Sequence, residues 1–110
     1  MIETIILEYL IGKLDVPVYM EVPEDPEGTF VVLEKTGSSR ENYIDSATMA
    51  AQSYAPSMAQ AAILNDQVKN AFYEMVELDE IGAVRLNSDY NFTNTATKRY
   101  RYQAIFVVTY

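Results

Sequence analysis

The side chains richest in chemical possibility are carboxylates, and their densest group is Glu21, Glu24, Asp25 and Glu27. Clustered oxygens suit hard cations such as Ca²⁺ or Mg²⁺. The spacing is not the D-x-D-x-D-G of a calcium loop, and Pro23 and Pro26 stiffen the segment without converging its acids. It reads as a solvated acidic loop, with Glu24, Asp25 and Glu27 available to a partner. A second acidic group, Glu77, Asp79 and Glu80, ends a predicted helix. Acid–base work needs a carboxyl in a tuned pocket, and this spacing implies only an exposed helix exit.

Two further motifs invite a functional reading. Gly37-Ser38-Ser39-Arg40 could form an anion-binding nest. It lacks the glycines of a phosphate loop and opens no helix, so it reads as a polar connection. Ser39, Arg40 and Glu41 are then candidates for contact with another protein. Lys98, Arg99 and Arg101 interleave with Tyr100 and Tyr102. Basic and aromatic residues together can bind single-stranded nucleic acid by stacking. Strand alternation, however, puts Arg99 and Arg101 on the face opposite the tyrosines, and the net charge of −8 opposes phosphate binding. The simpler reading is a strand with a buried tyrosine face and a charged outer face. The same basic strand could meet the acidic amino-terminal region of a neighbouring copy.

Absences narrow the chemistry. The 110 residues include no cysteine and no histidine. Thiolate nucleophiles, disulfides and cysteine metal sites are excluded. So are the commonest general base and the commonest transition-metal ligand. The expectation is a non-enzyme with no catalytic residues, metal or cofactor.

The elements that would position these residues follow from periodicity. Residues 2–14 read as an amphipathic helix on Ile2, Ile5, Ile6, Tyr9, Leu10 and Leu14. Pro17 biases residues 16–20 to an extended piece. Residues 30–36 read as a central strand, and residues 43–54 as a long strand between turn signals. Ser57 and Gln60 match a capping box ahead of a helical stripe of Ala61, Leu64, Val68, Ala71, Phe72, Met75 and Leu78. Its opposite face carries Asn65, Asp66, Lys69 and Glu74. Two long strands, joined by a turn at residues 94–97, complete the chain.

The predicted fold is one α+β domain over residues 1–110, in the order α-β-β-β-α-β-β. The sheet is antiparallel-rich with two helices packed on one face. Charge is uneven along it: residues 1–30 hold seven acids and one base, residues 81–110 four bases and one acid. No run approaches the roughly 20 apolar residues of a membrane span. Met1-Ile2-Glu3-Thr4-Ile5-Ile6-Leu7-Glu8 lacks the basic start of a signal peptide. A cytoplasmic beginning is expected.

Several segments carry a resemblance. They are Val16-Pro17-Val18-Tyr19-Met20-Glu21-Val22-Pro23 and Phe30-Val31-Val32-Leu33-Glu34-Lys35-Thr36-Gly37, with Gln52-Ser53-Tyr54-Ala55 and Leu64-Asn65-Asp66-Gln67-Val68. Leu86-Asn87-Ser88-Asp89-Tyr90-Asn91-Phe92-Thr93 and Tyr100-Arg101-Tyr102-Gln103-Ala104 complete the set. Together they resemble small phage and prophage proteins of Gram-positive hosts, described as tail completion, tail terminator or head–tail joining proteins. The resemblance implies a homo-oligomeric ring, usually hexameric, at the head-proximal end of the tail. Such a ring ends tube growth and joins the tail tube protein to the head connector protein. DNA would pass an acidic lumen without specific binding, and the expected location is the virion. The competing readings are another neck (head completion) protein, a small ligand-binding or regulatory α+β domain with an apolar pocket, and a carboxylate-based enzyme.

Overall fold

Apolar residues at Ile2, Ile6 and Leu10 recur every fourth position, and they form the buried stripe of the first helix, α1 (Ile2–Lys13). A computed structural model describes residues 1–24, 28–94 and 99–110 of the chain. After α1 come β1 (Val18–Tyr19), β2 (Phe30–Glu41), β3 (Ile44–Ala55), α2 (Met58–Glu74) with a 3₁₀ turn over Met75–Glu77, β4 (Ala83–Asn91) and β5 (Tyr100–Thr109). The five strands form one sheet in the order β1-β2-β3-β5-β4. Among the described residues only β1 and β2 pair in parallel; the other three strand pairings are antiparallel. The α+β architecture matches the expectation.

Both helices lie on one face of the sheet. Ile2, Ile6 and Leu10 of α1 and Leu64, Val68, Ala71 and Phe72 of α2 share a core with Leu33, Met49, Phe106 and Val108. Phe72 and Phe106 stack at 4.3 Å; removing either ring would cost about 3–5 kcal/mol. The alanines of β3 are explained by its place in the middle of the sheet. Ala47 and Ala51 are fully buried beneath the helix layer, where a small side chain lets α2 approach. Ser57 caps α2 as expected, accepting from the Gln60 backbone N–H at 3.2 Å. The Ser57 hydroxyl also lies 3.2 Å from Gln60 Oε1.

Four expectations need correction. Residues 37–42 are not a loop: β2 continues to Glu41, and only Asn42 and Tyr43 turn the chain. Thr36 forms a bulge, and beyond it the polar stretch stays in the ladder, with Ser39 and Arg40 paired to Ser46 and Asp45. Second, β2 is not central. Its outer side meets only the two residues of β1, and β3 holds the middle. Third, the first helix stops at Lys13, one residue short of the predicted end. Fourth, Asn65 does not sit on the solvent face of α2 but is buried. Its side-chain N–H donates to Asp89 of β4 at 2.9 Å, which offsets the cost of burying an amide.

Candidate functional site

The sheet face away from the helices is the candidate site, and the strand register lays it out in rows. Phe30, Tyr54 and Arg101 stand side by side across β2, β3 and β5, with Phe92 beyond the end of β4. The next row is Val32, Gln52, Gln103 and Tyr90. An extra residue, Asn87, shifts the register of β4 between Leu86 and Ser88. Leu86 faces the helices, and the bulge then turns Tyr90 and Phe92 to the free face while Asp89 faces the helices.

The bulge therefore builds two clusters. On the helix side, Asp89 accepts from Lys69 Nζ and from the Asn65 amide, both at 2.9 Å. Those bonds hold its carboxyl below the usual carboxylate range and hold Lys69 above its own. Asn65 Oδ1 is buried and meets no donor among the described residues. On the free side, hydrogen bonds run from Arg101 Nη1 to the Tyr54 hydroxyl (2.7 Å) and from Tyr54 to Gln52 (3.1 Å). Gln52 donates to Gln103 at 2.8 Å, and Gln103 donates to the Tyr90 hydroxyl at 2.6 Å. Arg101 Nε also donates to the Phe92 carbonyl at 2.7 Å, and its guanidinium lies 4.4 Å from the Phe92 ring centroid. Phe30 stacks on Tyr54 at 4.6 Å, and Tyr19 meets Phe30 edge-on. Tyrosine, phenylalanine and arginine are the residue types that concentrate binding energy at protein interfaces.

Charge pairing divides the molecule. Lys13 pairs with Glu74 and Glu77, Lys35 with Glu3, Arg40 with Asp45, and Lys69 with Asp66 and Asp89. Arg85, Arg99 and Arg101 pair with no carboxylate among the described residues. Arg85 is on β4 at one edge of the sheet, Arg101 on the strand beside it, and Arg99 just ahead of that strand, in a bridge to Asn94. Glu21 and Glu24, exposed and likewise without an ion pair among the described residues, follow β1 at the other edge. The two edge strands are four strand spacings apart, roughly 19 Å, which is beyond the Debye length of about 8 Å at physiological salt.

The remaining expected contact residues fall in three places. Asp25, Glu27 and Lys98 lie outside the described residues. Ser39, Arg40 and Glu41 are exposed near the end of the β2–β3 hairpin, but Arg40 is engaged within the chain. It forms a fork with Asp45 at 2.6 and 3.0 Å, which lowers the Asp45 carboxyl and raises the guanidinium. Arg99 is exposed, whereas Arg101 is half-buried under its aromatic neighbours. Glu77, of the second acidic group, accepts from the Tyr9 hydroxyl at 3.1 Å and ties α1 to the end of α2.

Sequence reasoning did not single out Tyr43. It occupies the hairpin tip with φ 65°, beside Asn42 at φ 51°, and is 95% exposed. An aromatic residue in this left-handed region is strained. The usual sign of such a turn, Asn-Gly, is absent. On the helix side, open grooves of about 220 and 250 Å³ lie beside Lys13 and Glu74 and beside Tyr9 and Leu78. Among the described residues no helix is long and apolar enough to cross a membrane. No protein-family model matches the chain, and no curated protein matches it.

Proposed function

We propose that this chain is a structural subunit that assembles with copies of itself into a ring at the head-proximal end of a phage tail. There it ends tube growth and joins the tail to the head connector. One observation carries the self-assembly: toward the opposite edges of a single sheet lie opposite charges that form no ion pair with one another among the described residues. Complementary patches on different sides of a subunit are what a head-to-tail ring requires. The phage station comes from the resemblance of the segments quoted above. A net charge of −8 on every copy favours a channel that repels DNA and lets it slide.

The test is assembly. Size-exclusion chromatography with light scattering, followed by electron microscopy, should find closed rings, either free or on the ends of purified tail tubes. A chain that stays monomeric and also fails to bind tube ends overturns the reading. Binding to head connectors but not to tubes would place it at a different neck station.

A further inference from the structure

The geometry points to a specific docking pair between copies: residues 19–24 of one copy seat on the corner formed by Tyr90, Phe92 and Arg101 of the next. This deepens the ring reading and rests on it.

The acceptor is already arranged. Arg101 is held in place by the Phe92 carbonyl and the Tyr54 hydroxyl and stacked over the Phe92 ring. Its other N–H donors make no bond among the described residues. A half-buried guanidinium without a counterion is costly, and a carboxylate arriving from outside would relieve that cost while making a charge-assisted bond. Beside it, Tyr90 is 40% and Phe92 39% exposed, so the corner joins a fixed cation to uncovered aromatic surface.

The donor has the matching composition. Tyr19, Met20 and Val22 are exposed apolar residues, and Glu21 and Glu24 stand among them. Apolar side chains suit Tyr90 and Phe92; the carboxylates suit Arg101 and Arg99. Pro23 has no N–H to give a strand ladder, so the segment docks through side chains rather than by extending the neighbour's sheet. Donor and acceptor lie toward opposite edges of the sheet, which makes the contact head-to-tail. A two-fold arrangement through either patch would instead set like charge against like.

The chain contains no cysteine, so introduced thiols report contacts without background. Val22→Cys and Ser88→Cys chains should be mixed and oxidised under conditions where the wild-type chain forms rings, alone or on tube ends. Ser88 lies on the free face two residues before Tyr90. The expected product is a disulfide-linked heterodimer in excess of either homodimer. Adding Glu21→Gln and Glu24→Gln to the Val22→Cys chain should cut its yield about tenfold. Arg101→Gln in the Ser88→Cys chain should do the same. Arg101→Gln also removes bonds inside the chain, so circular dichroism must show it folded. Glu21 and Glu24 form no ion pair among the described residues, so their variants keep the test independent of folding. Rings that form without the heterodimer, or with yields unmoved by the glutamine substitutions, overturn the docking and leave the ring reading standing. A wild-type chain that forms no ring, together with Val22→Cys and Ser88→Cys chains that give no heterodimer, overturns both.

Discussion

The two long hairpins of this protein treat charge in opposite ways. The β2–β3 hairpin settles its charges internally, with Arg40 and Asp45 facing each other across the strands in a two-bonded fork. The β4–β5 hairpin leaves Arg85, Arg99 and Arg101 without a carboxylate among the described residues. A cross-strand pair supports the register of the strands that carry it. Cations left over in a chain with twice as many acids as bases must be kept apart from those acids by the fold. The first hairpin is thus built to hold its own shape. The second is stable through Phe106, Asp89 and their partners, and its cations take no part in ion pairs among the described residues.

Substitutions can break this contrast or sharpen it. The largest expected effect is on assembly: Arg101→Ala should weaken self-association at least 30-fold, about 2 kcal/mol for loss of an interface arginine. Sedimentation velocity at matched concentrations measures it, and unchanged association would make the two hairpins equivalent. Asp89→Ala acts instead on the folded chain. It leaves the buried Asn65 amide and Lys69 without their shared acceptor, and urea unfolding should show a loss of about 2 kcal/mol.

The same site sets a pH dependence. The Asp89 carboxyl is held low by Lys69 and Asn65, so its contribution is complete above the unfolded value of about 4 and is lost as pH falls through the lower folded value. Lys69 is held high, so its contribution is complete below an unfolded value of about 10.4 and is lost as pH rises through the folded value. With no histidine between these limits, stability should be nearly flat from about pH 6 to 9. Asp89→Asn should flatten the acid limb of a stability–pH curve; a sloping neutral region would show that another titrating group matters.

Smaller effects belong to the first hairpin. Tyr43→Gly should stabilise the fold by about 1 kcal/mol, because glycine relieves the left-handed turn. If it also weakens assembly, the strained tip is kept for contact rather than for folding. Arg40→Ala should change least, since the Arg40 side chain is mostly exposed and its pair is screened by solvent; urea unfolding and sedimentation should both match the wild type.

Much of this architecture could be read from residue order. The Ser57–Gln60 cap, the stripe of α2 and the alternation in β5 are local signals, and each element formed where they placed it, except that the α-helix ends at Glu74 and Leu78, the last residue of the predicted stripe, lies beyond the 3₁₀ turn. The sites were less legible because they depend on bulges. Straight alternation would put Leu86, Tyr90 and Phe92 on one face, and nothing in Asn87 itself announces an interruption. Asn65 looked like a surface residue because its partner, Asp89, is 24 positions away and turned inward only by that bulge. The hairpin at Asn42 and Tyr43 was hidden for a different reason, since its second residue is not the glycine such turns favour. The basic-aromatic strand was recognised, but the internal stacking of Arg101 on Phe92 needed the tertiary pairing of β4 with β5.

The extra residue in β4 gives that strand an odd and an even version. Counted along the chain, Leu86 and Tyr90 share parity; counted by face, they do not. Losing the residue at position 87 would remove the bulge and leave Asp89, Tyr90 and Phe92 on their present faces, whereas drawing Asn87 into the ladder would send Tyr90 and Phe92 toward the helices and Asp89 outward. Gaining two would leave every side chain on its present face. For relatives of this protein, a strand one residue shorter at position 87 would thus keep the same sheet surface, and a one-residue change elsewhere between Leu86 and Phe92, with no second bulge to absorb it, would mark a chain that joins different neighbours.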